Sequence, residues 1–325
     1  MDDLLGPELA GRLDRLDLLS RKLLAGKMPG ERRSKRRGRS VEFDDFRNYV
    51  AGDDLRHIDW NIFARLDRLF VKLFREEEDL ALHVIVDSSA SMDAGTPNKL
   101  VYAHRLAMAL AYVGLVNQNR VSVASFGGPD APGADGLPVR RALHQLAPVR
   151  GRTSVQRVAA FLLENLGACE RRSGESGVDP DLVFAEAMRG AAVSRAGRGI
   201  MVVISDFLHP QGSAAGLGYL GAATMAGTFD AYALQVLSPS ELDPAKDHAA
   251  GLVGDLRLTD VETGRGAEVT VTPAAIIRYR DNLRRHNDAL REECLSRGIA
   301  YFLVPTDTPV ESLVLGALRK GGMLR

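Results

Sequence analysis

Apolar residues recur along this chain with two different periods. Short apolar runs rich in valine and isoleucine predict strands that are buried on both faces. Between these runs, apolar residues return every three or four positions, which predicts helices. The predicted strands are residues 82–87, 120–126, 139–143, 199–205, 230–237 and 299–304, and the predicted helices are 100–116, 151–166, 182–193, 216–226, 273–297 and 310–318. Strands that alternate with helices of this length indicate an α/β fold with a doubly wound, mostly parallel sheet.

Three segments lie outside this alternation. Leucines at helical spacing over residues 3–24 predict an amphipathic helix, which we expect to pack on its own domain rather than dock a partner. Residues 69–74 predict a strand, and residues 252–271 predict a β-hairpin with its turn near Gly264. The predicted parts are therefore an N-terminal helix and basic loop (1–40), a small β subdomain (41–80 with 238–272) and the α/β domain (81–237 with 273–325).

Composition limits the class of protein. The chain has 325 residues, 45% of them apolar, which is enough for one large domain or two small ones. Its formal net charge is zero, so overall charge does not favour nucleic acid or acidic substrates. The two cysteines, Cys169 and Cys294, are far apart, which argues against a disulfide framework or a zinc site. We find no signal-peptide pattern and no apolar run of transmembrane length, and we predict a cytoplasmic protein.

A basic cluster follows the N-terminal helix, within residues 27–39. Such a cluster binds phosphate or an anionic membrane surface in some proteins, and in many it is solvated or pairs with acidic residues. The run Glu76–Asp79 offers a counter-charge here. Specific nucleic-acid binding is disfavoured because aromatic residues do not alternate with the basic ones.

Polar oxygen-bearing residues end the first buried strand of the α/β domain. Asp87, Ser89 and Ser91 are spaced i, i+2, i+4, at the edge of the sheet where ligands bind in open α/β folds. One carboxylate and two hydroxyls are hard oxygen ligands, which suit Mg²⁺, Mn²⁺ or Ca²⁺. The alternative is structural, because Asp and Ser are also common turn and helix-cap residues.

Residues 41–75 contain a second polar group around the sole tryptophan. Arg56, His57, Asp59 and Trp60 lie within five positions. A catalytic Asp, His and Arg group is one interpretation. We favour a structural one, in which Trp60 packs on the core and Arg56 pairs with Asp59 to fix a turn.

The strand-end residues resemble the metal-ion-dependent adhesion site of von Willebrand factor A domains, which have a Rossmann-type sheet. In that site the serines of D-x-S-x-S and a threonine contact the metal, and the aspartates act directly or through water. The resemblance implies a site formed by Asp87, Ser89, Ser91, Thr153 and Asp206, with all of these segments at one edge of the sheet. A metal held mostly by neutral hydroxyls stays electrophilic, and the implied role is to bind a carboxylate of a partner protein.

The preceding segment resembles domain-of-unknown-function family 58, whose core is von Willebrand A-like. The residues that carry this resemblance are Glu42-Phe43, Tyr49, Gly52-Asp53-Asp54, Arg56, Ile58-Asp59-Trp60, Ala64-Arg65, Asp260 and Glu262-Thr263-Gly264. Members are commonly encoded beside MoxR-type AAA+ ATPases. The resemblance therefore implies an adaptor or co-chaperone of such an ATPase. We expect no enzymatic activity, because the sequence offers no arrangement of a nucleophile with a base.

Two other functions stay open at this point. A magnesium-dependent hydrolase of the phosphoesterase kind usually has a second carboxylate two residues after the first, and here that position is Ser89, which is no acid–base partner. The histidines nearest in sequence are His83, within the strand, and His104. The second alternative is a polyanion-binding protein that acts through residues 27–39.

Overall fold

The computed structural model describes most of the chain, in two compact units. Contacts group Met1–Gly26 with Leu80–Arg325 in a large unit, and Lys27–Asp79 in a small one. The described residues are 4–20, 42–75, 80–128, 131–132, 138–139, 142–170, 180–193, 198–209, 213–227, 229–245, 254–259 and 266–325. The basic cluster within 27–39, the Glu76–Asp79 run and the turn near Gly264 lie outside them.

Strands and helices alternate in the large unit as predicted. The described strands of the two units together are β1 Glu42–Asn48, β2 Phe70–Arg75, β3 Leu80–Asp87, β4 Arg120–Phe126, β5 Ala131–Pro132, β6 Pro138–Val139, β7 His144–Gln145, β8 Arg198–Ser205, β9 Phe229–Leu237, β10 Gly254–Thr259, β11 Gly266–Val271 and β12 Ala300–Pro305. The described helices are α1 Pro7–Leu13, α2 Trp60–Leu66, α3 Lys99–Val116, α4 Val155–Glu170, α5 Pro180–Val193, α6 Ala214–Met225, α7 Pro239–Leu242, α8 Pro273–Ser296 and α9 Val310–Ser312, which continues as a π-helix over Leu313–Leu318.

Six of the described strands form the central sheet, in the order β7-β4-β3-β8-β9-β12. Five of them are parallel, and the edge strand β7 runs antiparallel to β4. Counted along the chain this order is 3-2-1-4-5-6, which is that of a doubly wound sheet. The predicted fold class is confirmed. The chain changes direction across the sheet between β3 and β8, so the carboxyl ends of these two strands border the crevice where such folds bind ligands.

Helices cover both faces of this sheet. One apolar cluster joins α1, α3, α4 and the C-terminal helix to one face. A second cluster joins α5, α6 and the C-terminal part of α8 to the other face. Every residue of β3 is buried, because this central strand is covered on both sides. The apolar run before Asp87, interrupted only by the buried His83, therefore reflects burial on two faces.

The N-terminal helix is shorter than predicted, but it packs as expected. It ends at Leu13, and the chain then runs on to form a β-bridge between Leu18 and Leu324. Leu13 and Leu16 are buried in the core cluster beside α3. Residues 14–20 are therefore not helical, although Leu16 and Leu18 within them are buried in the core.

Helix α3 lies in the centre of the core. Asn98 caps it, accepting a hydrogen bond from the backbone N–H of Val101. Among the described residues it is the one helix with the length and hydropathy of a membrane span, 18 residues with mean hydropathy 1.2. Most of that window, 83%, is buried inside the protein, against the sheet and α4. The cytoplasmic location stays a prediction.

The small unit contains an antiparallel pair, β1 and β2, and helix α2. Asp59 caps α2 by accepting from the backbone N–H of Asn61 and Ile62, and Lys72 pairs with its second oxygen at 2.9 Å. Arg56 pairs with Asp54 instead of Asp59. Trp60 is 60% exposed. Our expectation of a core tryptophan and an Arg56–Asp59 pair was therefore wrong, because the indole is exposed and Asp59 caps α2 and pairs with Lys72.

The hairpin β10–β11 forms as predicted, with Gly254 opposite Val271. Contacts group it with the large unit. The start of the 238–272 segment packs on the sheet, since Ser238 is fully buried beside α7. The joint β subdomain of 41–80 with 238–272 stays a prediction.

Candidate functional site

Strand β3 ends by placing a fully buried carboxylate at the carboxyl edge of the sheet. The Oδ1 atom of Asp87 accepts a hydrogen bond from the backbone N–H of Ser89 at 2.9 Å. Its Oδ2 atom accepts one from the hydroxyl of Ser205 at 2.6 Å. Ser205 is the last residue of the neighbouring strand β8. The position of Asp87 is therefore fixed both by its own turn and by the adjacent strand.

The two serines of the turn lie side by side and half-buried. The hydroxyl oxygens of Ser89 and Ser91 are 3.0 Å apart. Neighbouring ligands of an octahedral Mg²⁺ ion at about 2.1 Å are about 3.0 Å from each other. The turn is packed against Gly127, where φ is +69° and an added Cβ would lie 3.0 Å from the backbone nitrogen of Ser89. A side chain at 127 would therefore press on the turn.

A second buried carboxylate, Asp206, follows β8. Its Oδ2 atom accepts a hydrogen bond from the ammonium of Lys99 at 3.0 Å, and its Oδ1 atom accepts one from the backbone N–H of Leu208 at 3.1 Å. Lys99 also donates to Oε1 of Glu241 at 2.6 Å. The side chains of Lys99 and Asp206 are 1% and 2% exposed. One buried ammonium therefore joins the end of β8, the start of α3 and the start of α7.

The electrostatics of the site reflect this burial. Burial, followed by the nearby charge of Asp206, raises the pKa of Asp87 from 3.8 to about 6. For Lys99, burial alone would lower the pKa, but the carboxylates of Asp206 and Glu241 outweigh it and raise the pKa. Asp206 thus has a buried ammonium as its partner, whereas Asp87 has the nearby charge of His209 and hydrogen bonds from two serine residues. A bound cation would relieve the cost of ionising Asp87.

The structure places Thr153 at the opposite edge of the sheet. The chain leaves the carboxyl edge through β7, and Val149 pairs with Val121 near the start of β4. Val121 lies about 16 Å along β4 from Phe126, which is the residue of β4 that pairs with Asp87. Thr153 follows, exposed, in a 3₁₀ turn whose Arg152 pairs with Asp14.

The expected common edge therefore holds for Asp87, Ser89, Ser91 and Asp206, and not for Thr153. Sequence reasoning took the helix after Gly151 as one that starts at the carboxyl edge. Because β7 is antiparallel, the helix starts at the amino edge instead. The C-terminal end of this helix reaches the carboxyl edge, where the Cys169 thiol lies 3.6 Å from the carbonyl oxygen of Ser88. Metal binding by the four remaining residues stays a prediction.

Three residues of this site were not identified from sequence: Lys99, Ser205 and Glu241. Ser205 directly precedes Asp206 at the end of a predicted strand. Its place at the carboxyl edge was therefore predictable from the sequence in the same way as that of Asp87. Ser238 and Glu241 form a capping box on α7, a pattern recognisable from S-x-x-E. The pairing of Lys99 with both carboxylates depends on three segments meeting in space, which the sequence does not reveal.

The histidines nearest in sequence lie away from the serine turn. His83 is buried four residues earlier in β3, and burial, with the charge of Arg120, lowers its pKa to about 4. His104 is buried within α3, where its Nδ1 atom is 2.8 Å from the carbonyl of Leu100. In the part of the chain that the structure describes, no three His, Cys, Asp or Glu residues are grouped to hold a metal. A metal site here would depend on the hydroxyls of Ser89 and Ser91.

The family model of the protein of unknown function DUF58 matches residues 45–289. The chain belongs to this family, as the resemblance of its sequence implied. Curated relatives include the uncharacterized protein Rv1480 of Mycobacterium tuberculosis and the uncharacterized protein Mb1516 of Mycobacterium bovis. Each is 27% identical over 294 residues, which cover 90% of this chain and 81% of the relative.

Solved structures with a similar arrangement include two bacterial proteins. The conserved hypothetical protein BatB from Bacteroides thetaiotaomicron is 17% identical, with a TM-score of 0.43, and covers 74% of this chain and 98% of its own. A von Willebrand factor type A protein from Catenulispora acidiphila is 14% identical, with a TM-score of 0.31, and covers 66% of this chain and 43% of its own.

Proposed function

We propose that this protein is a metal-dependent protein-interaction module, not an enzyme, that binds a carboxylate of a partner protein. The ion is Mg²⁺, with Mn²⁺ or Ca²⁺ as substitutes. Ser89, Ser91 and Asp87 would hold it, with Asp206 behind them. The observation that carries the proposal is the contact of two serine hydroxyls, 3.0 Å apart, in the turn that the buried carboxylate of Asp87 begins. Hard oxygen atoms in this arrangement suit a hard divalent cation.

The residues present also support a binding role over hydrolysis. The position two residues after Asp87 is a serine, which supplies a neutral ligand and no general base. Both oxygens of Asp87 already accept hydrogen bonds, from Ser89 and Ser205, so this carboxylate is held as a fixed charge. When bound, the ion would supply an electrophilic position for an incoming anionic ligand, since its serine ligands carry no charge.

We infer further that the partner is a MoxR-type AAA+ ATPase, which this protein serves as an adaptor or co-chaperone in the cytoplasm. This part rests on membership of the DUF58 family and on the gene neighbourhood that such membership implies. The buried site offers a chemical reason for specificity. A partner would have to present its carboxylate on a protruding segment, because Asp87 is fully buried and the two serines are half-buried.

Affinity capture with the purified ATPase tests the proposal. Tagged wild-type protein and the Asp87→Ala variant are each incubated with the ATPase in Mg²⁺ and in chelator. Thr153→Ala is the matched control, since it removes a sequence-predicted ligand that lies at the other edge of the sheet. We expect capture by wild type and Thr153→Ala in Mg²⁺ alone. Equal capture in all samples would mean that the contact is independent of metal, and the proposal would be wrong.

A further inference from the structure

The ammonium of Lys99 pairs with Asp206, one of the carboxylates of the candidate metal site. It is 3.0 Å from Oδ2 of Asp206 and 2.6 Å from Oε1 of Glu241, and its side chain is 1% exposed. The other oxygen of Asp206 accepts from the backbone of Leu208. Each oxygen of Asp206 therefore has a partner in the protein, and one of these partners carries a full positive charge.

A divalent ion at the serine turn has two consequences for this pair. The ion would be attracted by Asp206 and repelled by the ammonium, and the burial of both side chains reduces the screening of these interactions by water. Asp206 can interact with the ion at full strength only if its ion pair with Lys99 weakens. Glu241 gives Lys99 a second carboxylate, which is 24% exposed and anchored by the capping box with Ser238.

We propose that Lys99 is a tethered competitor of the metal ion for Asp206, and that Glu241 sets how strongly it competes. This inference rests on the proposed function, because it concerns the affinity of the same site. Lys99 acts as a positioning residue, since its contacts are with Asp206 and Glu241. The site then binds Mg²⁺ more weakly than its carboxylates alone would, so occupancy depends on a partner that supplies a further ligand.

A purely structural role is the competing explanation of the same contacts. Lys99 joins β8, α3 and α7, and a buried ion pair that loses one member usually destabilises the fold. A structural role predicts a change in stability and no specific gain in metal affinity. Competition for Asp206 predicts that metal affinity rises when the ammonium is removed, whatever happens to stability.

Calorimetric titration of MgCl₂ into chelator-treated protein tests the proposal. For Lys99→Gln we expect binding at least about tenfold tighter than in the wild type, since a like charge leaves the site. For Glu241→Gln we expect weaker binding, because Lys99 is left to Asp206 alone. Glutamine at 241 keeps the capping-box pattern, so α7 is preserved. In the double variant, Glu241→Gln should have little further effect, as expected of residues that act through one another.

The outcomes separate this inference from the proposed function. If the wild type binds Mg²⁺ as tightly as Lys99→Gln or more tightly, Lys99 does not compete with the ion for Asp206, and the proposed function is unaffected. Binding by Lys99→Gln without binding by the wild type supports the competition and overturns the function as proposed. Binding by neither overturns both. Should Lys99→Gln fail to fold by circular dichroism, unchanged or tighter binding by Glu241→Gln overturns the inference.

Discussion

Replacing the buried carboxylate of Asp87 with the isosteric amide is expected to stabilise the metal-free protein at neutral pH. Asp87 is fully buried, and burial is the first cause of its raised pKa, about 6 against 3.8. A difference of this size corresponds to about 3 kcal/mol of unfavourable ionisation above pH 6. An amide keeps one of the two accepted hydrogen bonds and loses the other, at a cost of about 1 kcal/mol. Asp87→Asn should therefore gain about 2 kcal/mol at pH 8.

The sign of this effect depends on pH. A carboxyl whose pKa is raised by folding contributes stability below pH 4 that is lost as pH rises through 6. The advantage of Asp87→Asn should therefore disappear on acidification, and the variant should become the less stable protein near pH 4. Urea unfolding in chelator, followed by circular dichroism at several pH values, measures the difference. Ser205→Ala is a useful control, since it removes a donor to Asp87 and should destabilise the ionised form.

A variant less stable than the wild type at pH 8 by more than about 1 kcal/mol would refute this reasoning. It would mean that hydrogen bonds from Ser89 and Ser205 outweigh the cost of burying the charge. With Mg²⁺ present the order should reverse. The wild type then gains stability by binding the ion, whereas Asp87→Asn does not.

Three further predictions follow from the structure. Ser91→Ala should weaken Mg²⁺ binding at least about tenfold, whereas Thr153→Ala should leave it unchanged, as measured by calorimetric titration; a loss in Thr153→Ala would contradict the assignment of its position. Because the pKa of His83 is lowered to about 4, this residue reduces the free energy of unfolding as pH falls from 6.5. His83→Leu should therefore be more stable than the wild type by about 3 kcal/mol near pH 4, with no such pH-dependent gain above pH 7. Parallel pH dependences of the two proteins in urea unfolding would refute this. Trp60→Ala should cost less than about 1 kcal/mol, since the indole is 60% exposed, and the fluorescence of wild-type Trp60 should be quenched readily by acrylamide; a loss of 3 kcal/mol or more would indicate a buried indole.

The sheet and its carboxyl-edge residues were predictable because each depends on a local pattern. Six of the seven residues that precede Asp87 in β3 are apolar, the exception being His83, and such a run is typical of a strand covered on both faces. The helix that follows has a recognisable cap at Asn98. Asp87 and Asp206 then come to the same edge because β3 and β8 are parallel neighbours.

The errors concern residues whose place depends on the direction or partner of a distant segment. Thr153 was misplaced because nothing local reveals that β7 is antiparallel to β4. Trp60 was expected in the core because large aromatic residues are usually buried, yet it lies at the start of the short helix α2 with its indole exposed. Lys99 was missed because its two carboxylate partners are 107 and 142 residues away in the chain.

The proposed function depends most directly on whether the serine turn and Asp87 bind a divalent ion. Calorimetric titration of MgCl₂ into chelator-treated wild-type protein and into Asp87→Asn decides this, with circular dichroism to show that both are folded. The account predicts one bound ion per chain in the wild type and none in Asp87→Asn. Equal binding by the two proteins, or no binding by the wild type at millimolar Mg²⁺, would contradict it.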